Sequence, residues 1–426
     1  MTVSADALHR RPVRADRTSD RRVALGAIAL ALVFLGAALA STVLPATVRL
    51  GAWLPLHLAL AGAATTAISG VMPFFSAALA AAPPASPWVR APSVGLVVAG
   101  AWAVAIGVAG PVPGLAVGGG SAFVAGVALT GIAAVAPLGQ GLGPSRGLVT
   151  GGYVVALGSV ALGASLAVVF LAGWTPLVTS WAGARAVHAW LNLVGFVSLV
   201  IATTLLHFFP TVVGARIVRR RSAVVVVGGL TGGTALVAVD GLLGSGALTR
   251  LGAVLAMAGA LALAVYAWQS WQARARWTSD AGWHRFAMGG LGSAIGWLLV
   301  GMGIATVRAL AFGADPSAWA FDAVAAPLVI GWVGLAILAS ATHLIPAVGP
   351  GTPVDHARQR SLLGRAATVR LAVIDAGVVI LAIGLPLRSE PATAIGTALV
   401  ALGFAATAIL AAAAIGVGLG RDRART

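Results

Sequence analysis

From residue 23 to residue 418 the chain is a succession of apolar runs, separated by short segments in which most of the charge is arginine. A helix needs about 20 apolar residues to cross a bilayer. Breaking the chain at Pro/Gly clusters and arginine groups predicts spans near 23–44, 53–80, 93–110, 114–137, 147–172 and 185–209. The second half predicts 222–243, 247–271, 284–311, 320–346, 366–387 and 391–418. The third and fourth runs are divided only by Gly110-Pro111-Val112-Pro113-Gly114.

Only 9% of residues are charged, against about 25% in an ordinary soluble chain. So little charge does not cover a water-facing surface, and lipid is the expected solvent. The net charge of +16 would suggest nucleic acid in a soluble protein. Here the basic residues sit between apolar runs, which makes them a topology signal and gives no nucleic-acid partner. With the N-terminus inside, 22 arginines fall on the inner side. Five fall outside: Arg49, Arg185, Arg250, Arg308 and Arg388. Every inner segment carries an arginine and no outer one has more than one, as the positive-inside rule expects. An odd number of spans would spoil this alternation.

The expectation is therefore an all-α polytopic bundle of about twelve transmembrane helices with both termini inside, in a bacterial plasma membrane. Residues 1–22 form a basic leader, 23–418 the membrane domain and 419–426 a basic tail. Arg21-Arg22 followed by an apolar run ending Ala38-Leu39-Ala40 imitates a cleavable signal. Cleavage would reverse the charge pattern, so the first helix is expected to be retained. The chain has no cysteine, which excludes disulfides and thiolate chemistry. No phosphate-cradling glycine loop stands between a strand and a helix.

Polar groups at membrane depth are the functional candidates. His57 and His188 lie near the outer ends of helices two and six. If those helices face each other, the two imidazoles can ligate one metal or haem. At α-helical spacing Ala61, Ala64 and Ile68 share the His57 face and leave room for a flat macrocycle. Asn192, the only asparagine, is one turn after His188 and either orients a ligand or bonds another helix. Arg49 and Arg185, also outer, can pair with haem propionates. The competing reading is an interfacial belt, because Trp53, Trp174, Trp181 and Trp190 lie on the same side.

His207 and His343 each precede a proline by three residues at the inner end of a helix. They either form a second site or cap helices that end at the proline. Asp375 lies well inside helix eleven and either carries protons or substrate, pairs with Arg370, or bonds a neighbouring Ser or Thr.

Leu56-His57-Leu58-Ala59-Leu60-Ala61-Gly62-Ala63 resembles the helix-two histidine segment of haem-copper oxidase catalytic subunits, and more closely that of NnrS-type membrane haem proteins. His188-Ala189-Trp190-Leu191-Asn192-Leu193-Val194-Gly195-Phe196, followed by Phe209-Pro210-Thr211, resembles actinobacterial oxidase-like membrane proteins. His343-Leu344-Ile345-Pro346 with Gly349-Pro350-Gly351 resembles their helix-ten ending. The resemblance covers the twelve-helix plan and these three stretches. It implies an oxidase-like bundle, haem b or alternatively copper as cofactor, His57 and His188 as ligands, and a redox partner at the outer face. It also implies a role in a nitric-oxide-type response or in electron transfer. Helix seven has no histidine and helix ten has one, so a complete oxygen-reducing centre is not expected. Alternatives from other classes are a secondary transporter and a non-catalytic membrane subunit. The two halves, helices one to six and seven to twelve, show no evident sequence similarity.

Overall fold

The computed structural model describes residues 17–140, 146–216, 220–275, 284–315 and 321–422. His9, Arg10, Arg11, Arg14, Arg219, Arg276, Arg423 and Arg425 lie outside the described residues. Among the described residues all regular structure is helical. Twelve helices are long and apolar enough to cross a membrane: α1 (Arg22–Ser41), α2 (Trp53–Ala80), α3 (Pro87–Ala109), α4 (Pro113–Leu138), α5 (Gly147–Leu171) and α6 (Trp181–Val213). They continue as α7 (Arg221–Gly241), α8 (Ala247–Gln272), α9 (Arg285–Phe312), α10 (Phe321–Ala347), α11 (Ala367–Gly384) and α12 (Glu390–Leu419). The spans match the sequence reading to within a few residues, with two larger differences. Helix α3 starts earlier, because Pro87 opens it at the first turn and Ser86 caps it. Helix α6 runs on at both ends.

The chain divides into two compact units, Met1–Leu157 with Ala167–Gly173, and Gly158–Leu166 with Trp174–Thr426. In the first unit α1 lies along α2, and Phe34 of α1 stacks on Trp102 of α3 with ring centroids 4.7 Å apart. In the second, Trp332 of α10 is fully buried and donates its indole N–H to Ser198 Oγ of α6 at 2.9 Å. Tyr266 of α8 donates its hydroxyl to the carbonyl of Leu206 on α6 at 2.5 Å.

Three helices differ from the rest. Over their most apolar windows α2, α6 and α10 are 61%, 78% and 61% buried, whereas no other span exceeds 44%. The same three helices carry π-helical segments, Leu58–Ala64, Leu191–Ser198 and Ala325–Gly334. A π-turn closes hydrogen bonds five residues apart, so it holds more residues than an α-turn and shifts the faces beyond it. The face assigned to His57, Ala61, Ala64 and Ile68 at α-helical spacing is corrected accordingly, since it crosses the segment Leu58–Ala64. Pro73, Pro210 and Pro346 lie inside their helices. The expectation that α6 and α10 stop at proline is therefore corrected as well. Apolar helices tolerate an interior proline where neighbouring groups satisfy the freed carbonyl.

The regularity is a four-helix repeat, present three times as α1–α4, α5–α8 and α9–α12. Gly62, Gly195 and Gly331 sit in the three π-segments and receive Phe34, Ser159 and Trp297 from the helix before. Each repeat ends in a tight hairpin, α3–α4, α7–α8 or α11–α12. A Cβ added at Gly100 would lie 2.6 Å from Gly119 O, at Gly233 2.5 Å from Gly252 O, and at Gly377 2.9 Å from Gly396 O. Such approach is open only to small residues, which is how membrane helices gain contact without a hydrophobic driving force. Gly62 and Gly195, Gly100 and Gly233, Gly119 and Gly252, and Gly126 and Gly259 are each 133 residues apart. The match between α6 and α10 is closer still. Gly195, Val197, Leu199, Ile201, His207, Pro210 and Val212 recur 136 positions on as Gly331, Val333, Leu335, Ile337, His343, Pro346 and Val348. The unit of similarity is thus four helices, and a comparison of halves misses it.

Candidate functional site

The histidines within the spans, His57, His188, His207 and His343, all belong to the three buried, π-containing helices. His57 ends the first turn of α2, is half-buried, and stacks on Trp53 with centroids 4.2 Å apart. Its Nδ1–H donates to the carbonyl of Trp53 at 2.8 Å. A carbonyl only accepts, so this bond assigns the proton to Nδ1 and the ring lone pair to Nε2.

His188 is bound in the same way by a different helix. Its Nδ1–H donates to the carbonyl of Gly163 on α5 at 2.8 Å. Trp181, at the start of α6, lies 6.1 Å from the imidazole, centroid to centroid. Asn192 is close by: its Nδ2 lies 3.3 Å from His188 Nδ1 and donates to the His188 carbonyl at 2.6 Å. Gly163 makes this geometry available, because a Cβ there would lie 2.5 Å from Asn192 Nδ2. In the third repeat the matching pair is Gly301 and Leu328, also in contact. The polar pair His188–Asn192 is thus particular to the second repeat.

The two arginines expected near the histidines, Arg49 and Arg185, differ in what they do. Arg49 closes the short helix Ala46–Arg49 and turns its Nη1 back to the carbonyl of Gly51 at 2.7 Å, across the left-handed Leu50. Arg185 is exposed on α6.

At the C-terminal ends of α6 and α10, His343 is buried and His207 half-buried. Phe208, next to His207, meets the His343 ring edge-on with centroids 5.4 Å apart. Among the described residues no group of three or more His, Asp or Glu side chains is arranged to hold a metal ion.

Asp375 does not pair with Arg370. Its Oδ1 accepts from Ser293 Oγ at 2.6 Å and from Trp297 Nε1 at 2.9 Å, both on α9. The buried Arg370 donates to the carbonyls of Leu363 and Arg365 and to Thr407 Oγ1, and its guanidinium lies 4.5 Å from the centre of the Phe286 ring. Five residues along a helix point the two side chains to different sides. Of the structural partners open to Asp375, the serine is bonded and Arg370 is not. Nothing in the local sequence marks Gly163, Ser293 and Trp297 as partners of His188 and Asp375. The signal that reveals them is the repeat, in which Gly163 matches Gly301 and Trp297 matches Ser159.

The chain matches no protein-family model and no curated protein.

Proposed function

We propose that this multi-pass membrane protein, of a bacterial plasma membrane, binds haem b or copper near its outer face, and that His57 of the first unit and His188 of the second each serve as an imidazole ligand. The observation that carries the reading is the shared state of the two rings. Each donates Nδ1–H to a main-chain carbonyl at 2.8 Å and so carries its lone pair on Nε2. Ligating histidines are oriented in this manner, with the far ring nitrogen donating to a carbonyl or carboxylate. Asn192 donates to the main-chain carbonyl of His188 and so ties the backbone that carries the ring. A haem or copper held by such ligands supplies a site for a small molecule such as nitric oxide, or a relay for an electron from a partner at the outer face. Arg49 and Arg185 are the cations available there to haem propionates.

A second reading, secondary transport, is favoured by the internal repeat, since transporters are commonly built from repeated helix sets. The deciding experiment is an optical spectrum, oxidised and dithionite-reduced, of protein purified after expression with haem and copper supplied, with metal analysis on the same sample. A Soret band or bound copper that is lost in His57→Ala and in His188→Ala supports cofactor binding. A colourless, copper-free protein overturns it.

A further inference from the structure

Asp375 lies near the middle of α11, and the nearest charged residues along the chain are Arg370 before it and Arg388, past the end of the helix, after it. A carboxyl at that depth needs its charge compensated, by a cation or by a proton. The groups that can compensate it are few. On α11 itself, Arg370 is held by Leu363, Arg365 and Thr407. On the elements packed against α11, the titratable groups are His284, Arg285 and Arg308 toward the ends of α9, Asp322 and His343 toward the ends of α10, and Glu390 at the start of α12. None of these is on the turns of α9 that face Asp375, where Ser293 and Trp297 both donate to Oδ1. The Ser293 hydroxyl and the Trp297 indole N–H together fill the lone-pair directions of Oδ1, and neither brings a positive charge. Oδ2 remains as the oxygen on which a proton can sit.

The repeat shows that helix packing does not require this arrangement. Asp375 precedes Gly377 by two residues, and the matching residues before Gly233 and Gly100 are Thr231 and Val98. Ser293 precedes Trp297 by four residues, and the matching residues before Ser159 and Phe34 are Val155 and Leu30. Val155 and Leu30 are 38% and 40% exposed. The matching positions in the two other copies are thus filled without a carboxyl, and those that match Asp375 itself, Thr231 and Val98, are half-buried as it is. Asp375 and Ser293 are themselves only half-buried, and Ala372, Ala376 and Gly292 beside them are exposed.

We propose that Asp375, Ser293 and Trp297 form a proton-binding site at mid-membrane depth that opens toward lipid. Ser293 and Trp297 hold Oδ1, and the exchangeable proton is carried on Oδ2. The site is separate from the histidines and does not rest on the cofactor reading.

The test uses the full chain in liposomes and dicyclohexylcarbodiimide, which reacts with protonated carboxyls in apolar surroundings. The acid O–H adds across one C=N bond: the proton goes to nitrogen and the carboxyl oxygen to carbon. The adduct rearranges to an N-acylurea with nothing released. Peptide mass spectrometry is expected to find the label on Asp375, less of it as pH rises, none in Asp375→Asn and retention in Asp375→Glu. Asn keeps the oxygen acceptor for Ser293 and Trp297, so this variant is expected to fold. Val379→Asp, on the exposed side one turn on, is the positive control. Label on the control carboxyl with none on Asp375 overturns the proposal, as does label on Asp375 that is indifferent to pH. Infrared difference spectra of wild type against Asp375→Asn decide independently. A protonated-carboxyl C=O band that moves in Ser293→Ala and in Trp297→Phe supports the site, and absence of the band overturns it.

Discussion

The carbonyl of Gly163 holds the imidazole of His188 by accepting its Nδ1–H at 2.8 Å, across 25 residues of sequence and from a neighbouring helix. Glycine at this position also leaves space for the Asn192 amide. Gly163→Val puts side-chain atoms where that amide lies. Overpacking of this kind costs about 1–3 kcal/mol. The expected result is a lower thermal midpoint in detergent and displacement of His188. A midpoint and a His188 signal identical to wild type would contradict the geometry.

Asn192→Leu separates function from folding. Leu328 fills the matching position of the third repeat against Gly301, so this substitution is expected to fold. If His188 is a ligand, losing the amide bond to its main-chain carbonyl weakens cofactor binding, by up to about 10–100-fold. Titration of haem or copper into the variant measures the change.

The hairpin glycines are predicted to be intolerant in a patterned way. Gly100→Leu, Gly233→Leu and Gly377→Leu all drive a side chain into a facing backbone. Each is expected to reduce folded yield and lower the thermal midpoint. Gly95→Leu and Gly118→Leu, which meet nothing within 4 Å, are expected to leave both near wild type. Size-exclusion profiles of the five variants distinguish the two sets.

Trp332 is fully buried and its indole N–H reaches Ser198 Oγ. Trp332→Phe keeps most of the ring but leaves the hydroxyl without its donor, a loss of about 1 kcal/mol. Trp332→Ala also opens a cavity and is expected to cost about 3–5 kcal/mol. Chemical unfolding in mixed micelles gives the ratio.

Topology is open to direct measurement because the chain has no cysteine. A cysteine at Ser245, in the α7–α8 turn, is expected to react with a membrane-impermeant maleimide in intact cells. One at Arg358, on the helix Pro353–Gly364, is expected to react only after permeabilisation. The reverse result would invert the N-terminus-inside assignment.

The number of spans and their approximate ends were legible in the sequence. Whether a segment enters lipid depends on that segment's own length and apolarity, and the arginines sort the loops by side. The repeat was also present in the residues, since His207-x-x-Pro210 and His343-x-x-Pro346 stood out. Its period of four helices did not emerge from a comparison of halves. Small residues dominate the chain, and short runs of them match one another at many offsets.

By itself, the sequence determined a twelve-span helical membrane chain, because partition between water and hydrocarbon is settled segment by segment. Only the tertiary structure decided which three helices are buried, where they widen into π-turns, and which partners hold His188 and Asp375. Those outcomes depend on contacts between helices: 25 residues separate His188 from Gly163, and 82 and 78 separate Asp375 from Ser293 and Trp297. In an apolar solvent, packing and hydrogen bonding between helices choose among faces that look alike in composition.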